Sequence, residues 1–72
     1  MNNEQKLLAI FAEVLDVEED SLAMNTTPSD VAEWDSLATV QLIAEIEDVF
    51  DCKIPFEEVE RIQAIRDFLK FI

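Results

Sequence analysis

Apolar and polar residues alternate at helical spacing through the first sixteen positions of the chain. The apolar positions recur every three or four residues, as in the buried stripe of an amphipathic helix: Leu7, Leu8, Phe11, Val14 and Leu15, with Ile10 at the edge of the stripe. Asn2 or Asn3 can cap this helix, and Gln5 occupies the capping-box position after Asn2. The pattern predicts a first helix over residues 3–16.

A second helical pattern begins at Asp35 or Ser36 and continues to about Phe50. Asp35 is a good N-cap, which places Ser36 in the first turn, at the positive end of the helix dipole. One side of the helix carries the predicted core stripe: Thr39, Leu42, Ile43, Ile46, Val49 and Phe50. The opposite side is apolar beside Ser36 and acidic farther along: Leu37, Val40, Gln41, Ala44, Glu47, Asp48 and Asp51. This second side is a candidate partner surface, although single apolar residues and solvated acids are also common on surfaces that bind nothing.

The two patterns are separated by a long connection, from Val17 to Trp34, with a short turn expected around residues 28–32. The apolar residues expected to hold this connection on the helices are Val17, Leu22, Met24, Val31 and Trp34. After Ile54 and Pro55 we expect a short third helix, and a last apolar stripe predicts a fourth helix over residues 63–71. The expected fold is therefore all-α, one domain over residues 1–72: a small four-helix bundle with three longer helices and a short third one.

The charge of the chain restricts its partners. Seventeen acidic residues against five basic ones give a formal net charge of −12. Such a charge repels nucleic acid and anionic membrane surfaces and attracts basic protein patches. We expect no signal peptide, since the first thirty residues contain acids and lack an unbroken apolar run. No apolar run in this sequence is long enough to span a bilayer, and the lone Cys52 fits a reducing compartment. We expect a cytoplasmic, monomeric protein that neither binds nucleic acid nor inserts into membranes.

Several kinds of chemistry lack their usual residues. The chain contains no histidine, no tyrosine and no glycine, so the common base of nucleophilic catalysis and the glycine loops that bind nucleotides are missing. The spacing of Asp16, Glu18 and Asp20 begins like a calcium loop, but Ser21 and Thr27 stand where glycine and glutamate are needed. We therefore expect neither a metal site nor an enzyme.

Two short motifs carry a family resemblance. Asp35-Ser36-Leu37 opens an acidic amphipathic helix, and Phe50-Asp51 is followed after two residues by Ile54-Pro55. Together with the order of the elements, these motifs resemble the acyl carrier protein family over the whole chain. Carriers of primary fatty-acid synthesis usually have a glycine two or three residues before the Asp-Ser pair. This chain has Glu33 and Trp34 in that neighbourhood, which favours a specialised pathway.

The resemblance implies that Ser36 bears a 4′-phosphopantetheine arm, flanked by Asp35 and Leu37, and that the arm holds acyl groups as thioesters. The partners it implies are a phosphopantetheinyl transferase and the loading, condensing or acyltransferase enzymes of fatty-acid, polyketide or related biosynthesis. Basic patches on these enzymes would meet the partner surface of the second helix. We expect the cargo to enter between helices two and three, where four side chains would line its cavity: Leu42, Ile46, Ile62 and Ala64.

Other interpretations remain open at this point. Ser36 can be an ordinary first-turn residue, Trp34 is best explained as a loop anchor, and Cys52 as a partly exposed bystander. An aminoacyl or peptidyl carrier would share these motifs. An unmodified acidic module that docks on a basic protein would share the charge and the second helix.

Overall fold

A computed structural model describes residues 2–72 and is all-helical over that range. Helix α1 spans Asn3–Leu15, α2 spans Ser36–Phe50, and the short α3 spans Phe56–Val59. Two 3₁₀ helices complete the chain, one over Glu19–Ser21 in the long connection and a final one over Ile65–Phe71. The predicted fold class, a small helical bundle with a long loop between its first two helices, is confirmed.

Local capping defines the ends of α1. The Asn2 side chain accepts from the backbone N–H of Gln5 at 2.8 Å, and the Gln5 side chain accepts from the N–H of Asn2 at 3.1 Å. The helix ends one residue earlier than predicted, because Asp16 adopts a left-handed conformation with φ of 57°. Glycine normally takes this position, and aspartate is one of the few residues that tolerates it. Asp51 ends α2 in the same way, with φ of 52°.

The core lies between α1, α2 and the final helix, with the long connection packed over it. Its buried apolar residues come from every part of the chain: Leu7, Ile10, Phe11, Leu15, Leu22, Trp34, Ala38, Leu42, Ile46, Ile54, Ile65 and Phe68. Ile10, expected at the edge of its stripe, is buried, whereas Val14 is only partly buried. The first helix is thus rotated slightly from the predicted orientation.

The buried line of α2 also differs from the predicted stripe. It follows four-residue steps through Ala38, Leu42 and Ile46, and the next step reaches the half-buried Phe50. Val49, predicted in the core, is 47% exposed because it lies one position off this line. Ala38, which is not part of the predicted stripe, is buried instead. It lies in the first turn of α2, four residues after Trp34.

The long connection is held by side chains and by backbone hydrogen bonds. Leu22 and Trp34 are buried, and the other three predicted anchors pack partly against the core, as expected. The buried Thr26 hydroxyl accepts from the N–H of Ala23 at 2.9 Å. The carbonyl of Thr26 accepts from Ile65 at 3.1 Å, so the connection also supports the start of the final helix.

The final helix is a 3₁₀ helix that starts at Ile65, not the α-helix predicted from residue 63. The side chain of Asp67 accepts from the backbone N–H groups of Gln63 at 2.8 Å and Ala64 at 3.0 Å. These two hydrogen bonds hold the pKa of Asp67 below its usual range. A 3₁₀ helix places residues three apart on one line, which accounts for the burial of both Ile65 and Phe68.

Trp34 offers a test of this packing. We expect Trp34→Ala to lower the free energy of unfolding by about 3 to 5 kcal/mol, because it leaves a cavity beside Phe11. Trp34→Phe keeps most of the packing and loses one hydrogen bond, at a cost of about 1 kcal/mol. Urea unfolding measures both, with Leu37→Ala as an exposed control within about 0.5 kcal/mol of the parent. Equal losses for the two Trp34 variants would contradict the packing account.

Candidate functional site

Ser36 is the first residue of α2 and is exposed. Immediately before it, Asp35 has extended backbone geometry, and its side chain accepts from the N–H of Ala38 at 2.8 Å. This is the N-cap that the sequence predicts. Within residues 2–72 no hydrogen bond engages the Ser36 hydroxyl, which therefore faces solvent at the start of a capped helix.

Side-chain hydrogen bonds connect the residues on either side of Ser36. The indole Nε1–H of Trp34 donates to the Thr39 hydroxyl at 3.0 Å, and that hydroxyl donates to the carbonyl of Asp35 at 2.9 Å. The Trp34 ring packs edge-on against Phe11, with ring centroids 5.0 Å apart. The start of α2 is thereby attached to the core of α1, and Ser36 projects from a fixed support. Trp34 is a loop anchor, as predicted, and Thr39 is the partner that the sequence pattern did not reveal.

An open groove of about 450 Å³ begins at Ser36 and extends between α2 and the segment that contains α3. Its lining is mainly apolar: Ser36, Thr39, Val40, Ile43, Glu47, Ile54, Phe56 and Val59. None of the four residues expected to line an acyl cavity is among them. Leu42, Ile46 and Ala64 are buried in the packed core and Ile62 is partly buried. The reason is the orientation of α2: its 38–42–46 line faces the core, so the neighbouring positions 39 and 43 face the groove.

Glu47 makes a structural hydrogen bond that its position on the predicted partner surface did not indicate. Its Oε2 accepts from the backbone N–H of Ile54 at 2.9 Å, across the turn that follows α2. Glu47 is half-buried and lines the far part of the groove. Its carboxylate therefore fixes the loop that carries Ile54 to the groove.

The remaining residues of the predicted partner surface lie together on the outer side of α2. Leu37 and Val40 are 68% and 64% exposed, which is high for large apolar side chains. Four polar or small positions of the same surface are also exposed: Gln41, Ala44, Asp48 and Asp51. The surface thus has an apolar end beside Ser36 and an acidic end. Its use by partners remains a prediction.

Cys52 and the acidic residues of the first loop show no sign of catalytic or metal chemistry. Partial burial, and then the nearby carboxylates of Glu47 and Asp51, raise the pKa of the Cys52 thiol. A thiol with a raised pKa is a poor nucleophile at neutral pH. Within the described residues no three potential ligands are grouped as a metal ion would require. In the same part of the chain no helix has the length and apolarity of a membrane span.

The site has the features that a serine-linked prosthetic group needs. Such a serine must be reachable by a separate enzyme, and a phosphodiester is favoured electrostatically at a helix N-terminus. Ser36 meets both conditions, and the groove that starts beside it can hold part of a flexible arm. The neighbouring Asp35 carboxylate opposes a second negative charge, but the N–H of Ala38 offsets that charge in part.

The comparisons with known proteins agree with this geometry. The family profile described as a phosphopantetheine attachment site matches residues 5–72. The fold is similar to a solved structure from Mycobacterium tuberculosis that is provisionally described as an acyl carrier protein. That similarity has a TM-score of 0.82 and 30% sequence identity, and it covers 93% of this chain and 89% of the other.

The fold and the matched profile define a small helical carrier protein. This chain belongs to the phosphopantetheine-attachment family, as an acyl carrier protein family member. The prosthetic group of the family is 4′-phosphopantetheine, carried covalently.

The tie between Glu47 and Ile54 can be tested directly. We expect Glu47→Ala to lower the free energy of unfolding by about 1 to 2 kcal/mol, because it leaves the partly buried N–H of Ile54 without its charged acceptor. Amide hydrogen exchange at Ile54 should become faster in the same variant. Asp48→Ala, on the exposed neighbour, is the matched control and should change neither quantity. An unchanged exchange rate at Ile54 in Glu47→Ala would show that this hydrogen bond does not hold the loop.

Proposed function

We propose that Ser36 bears the 4′-phosphopantetheine arm and that the protein carries acyl groups as a non-catalytic shuttle between enzymes. The observation that carries the proposal is the exposed Ser36 hydroxyl on a fixed helix start, beside a mainly apolar groove. When bound, the arm supplies a terminal thiol that holds the cargo as a thioester. The side chains of the protein position this arm and shelter what it carries.

The roles of the neighbouring residues follow from their contacts. Asp35 caps α2, and Thr39 links it to Trp34, so the attachment point keeps one position relative to the core. A fixed attachment point helps an enzyme that must bring a reacting group to the hydroxyl, since less orientation has to be found on binding. Leu37 lies beside Ser36 and is exposed, so an incoming transferase can contact it.

Partner recognition is proposed for the outer side of α2. The net charge of −12 attracts basic surfaces from a distance, and a small interface around the exposed Leu37 and Val40 then forms. Phosphopantetheinyl transferases and the enzymes that load or consume acyl groups are the partners proposed. A shuttle needs contacts that dissociate quickly, which a small interface with exposed charges allows. A monomer in the reducing cytoplasm is the setting proposed, consistent with the lone, partly buried Cys52.

Attachment to Ser36 is tested by intact mass after incubation with coenzyme A and an active transferase. The parent protein should gain the mass of one phosphopantetheine arm, and Ser36→Ala should gain none. Ser29→Ala is the matched control, because Ser29 is an exposed serine of the loop, and it should be modified like the parent. Failure of the parent to gain mass beside a carrier that does would favour an unmodified docking module.

The proposed partner surface is tested with two charge reversals of equal net effect. Asp48→Lys and Glu13→Lys each change the net charge from −12 to −10, since one negative charge is replaced by a positive one. Both sites are exposed, but only Asp48 lies on the outer side of α2. We expect Asp48→Lys to lower the kcat/KM of the transferase by roughly 3- to 10-fold at low salt and less at high salt, with a smaller effect for Glu13→Lys.

Glu47 is left unchanged in this experiment because its carboxylate holds Ile54, and its reversal would disturb the loop. Equal effects of the two reversals would mean that net charge alone attracts the partner. Equal effects at both salt concentrations would remove the electrostatic argument.

A further inference from the structure

Thr39 connects the core to the backbone beside Ser36 through a single hydroxyl group. This hydroxyl accepts from the indole Nε1–H of Trp34 at 3.0 Å and donates to the carbonyl of Asp35 at 2.9 Å. The same carbonyl accepts from the backbone N–H of Thr39, also at 2.9 Å. A threonine hydroxyl in a helix often bonds to the carbonyl four residues earlier, so that bond alone would have no special meaning. The indole bond is the unusual part, because it occupies the hydroxyl oxygen and leaves the hydroxyl proton for Asp35.

The carbonyl of Asp35 belongs to the peptide unit that leads into Ser36. That unit is planar, so a fixed carbonyl also fixes the direction in which the chain enters Ser36. Trp34 is 5% exposed and packs edge-on against Phe11, which connects the indole donor to the core of α1. The backbone direction at Ser36 is therefore set from the core, although the Ser36 side chain makes none of these hydrogen bonds.

We propose that Thr39 is a positioning residue for the transfer of phosphopantetheine to Ser36, and that it acts on the chemical step and not on docking. This inference rests on the proposed function and names a group on which the reaction at that site depends. In the transfer, the Ser36 oxygen forms a bond to the phosphorus atom that carries the pantetheine half of coenzyme A. The adenosine bisphosphate half leaves with the electron pair of the broken phosphorus–oxygen bond, and the Ser36 proton passes to a base of the transferase. Thr39 touches none of these atoms and acts through the Asp35 carbonyl.

The chemical step is sensitive to small displacements of the attacking oxygen. A misplacement of about 1 Å can cost roughly 100-fold in rate. Without the Thr39 hydroxyl, the Asp35 N-cap and the backbone N–H of Thr39 still start the helix, but the indole no longer restrains its first peptide unit. Only the fraction of molecules with Ser36 in the reactive direction then reacts, and the rate falls by that fraction.

Docking of the transferase should change much less. The proposed partner surface includes Leu37, Val40 and Asp48, and none of their side chains takes part in the hydrogen bonds of Thr39. Loss of the Thr39 hydroxyl therefore lowers the maximum rate, while the transferase concentration that gives half of that rate stays nearly the same. A threonine that only stabilised the fold would change neither quantity as long as the protein remains folded.

The experiment measures single turnovers of the whole protein with saturating coenzyme A and an excess of transferase, followed by intact mass. A single turnover excludes product release, so its maximum rate reports the chemical step and the half-saturating transferase concentration reports docking. Three variants are compared with the parent: Thr39→Val, which has nearly the same shape but no hydroxyl, Thr39→Ser, which keeps the hydroxyl, and Thr27→Val. Thr27 is the control, because its hydroxyl donates to the Asp30 side chain at 3.1 Å in the long connection, away from α2.

We expect Thr39→Val to lower the maximum rate by roughly 5- to 20-fold and to keep the half-saturating concentration within about twofold of the parent. Thr39→Ser should recover most of the rate, and Thr27→Val should match the parent. The sequence contains one tryptophan, so the indole N–H of Trp34 gives a single NMR signal. This signal should shift, and its proton should exchange faster with water, in Thr39→Val but not in the other two variants.

A double variant separates positioning from stability. Trp34→Phe alone should also lower the maximum rate, because it removes the donor that orients the Thr39 hydroxyl. Added to Thr39→Val, it should lower the rate no further, since both substitutions break the same connection. The melting temperatures of the variants need not follow this order, because Trp34→Phe also changes the packing against Phe11. All variants are assayed at a temperature at which their circular dichroism shows the folded protein.

Four results would overturn the inference. An unchanged maximum rate in Thr39→Val would show that the reaction does not depend on this hydroxyl, and an equal loss in Thr39→Ser would assign the effect to the methyl group. A raised half-saturating concentration at an unchanged maximum rate would place Thr39 in docking. Additive losses for Trp34→Phe and Thr39→Val would remove the shared connection. Absence of any mass gain in the parent would remove the proposed function and this inference with it, whereas equal rates of loading in the parent and Thr39→Val remove only the inference.

Discussion

The attachment of the start of α2 to α1 is the contact on which the site depends. Trp34 packs edge-on against Phe11, and its indole N–H reaches Thr39, whose hydroxyl in turn reaches the carbonyl of Asp35. The Trp34–Thr39 hydrogen bond favours one geometry, because the indole N–H of the buried Trp34 would be costly to leave unpaired. Ser36 lies between Asp35 and Thr39 in the chain, and its side chain takes no part in this arrangement. A rigid support and a free hydroxyl are thus produced by the same six residues, from Trp34 to Thr39.

The rest of α2 is divided among three surroundings, and this division explains the groove. Positions 38, 42 and 46 face the core, positions 39 and 43 face the groove, and positions 37, 44 and 48 face solvent. A helix with 3.6 residues per turn can face three different surroundings only if a narrow line of residues faces each one. Val40 stands between the groove and the outer surface, being both exposed and part of the lining. Cargo and partner enzymes would therefore contact adjacent sides of one rigid element.

Local rules of sequence were sufficient for some parts of this structure and insufficient for others. The capped start of α2 at Asp35, the exposure of Ser36 and the order of the helices follow from capping preferences and helical periodicity, which act within a few residues. The residues that line the groove could not be predicted in this way. A helical projection with one apolar and one polar side shows that Leu42 and Ile46 are on the apolar side, but not whether they face the core or the groove. Which of the two they face depends on how α2 is rotated against α1, and that is decided by contacts far apart in sequence. The final helix is a similar case: the carbonyl of Thr26 and the side chain of Asp67 bind the N–H groups at its start, and neither contact is visible in the apolar spacing of residues 63–71.

The acidic residues form two groups that carry the same charge but differ in their contacts with the backbone. Asp30, Asp35, Glu47 and Asp67 each accept from at least one backbone N–H group, and these bonds hold the turns of a chain that contains no glycine. Ion pairing is sparse, since the pair found within residues 2–72 joins the exposed Arg61 to the half-buried Glu58, with an N–O distance of 3.5 Å. Backbone donors thus compensate those four carboxylates, whereas within residues 2–72 no backbone N–H group donates to the side chain of Asp48 or Asp51 on the outer side of α2. A basic partner can meet the exposed acids without disturbing the fold, because the acids that hold the turns are already bound to the backbone.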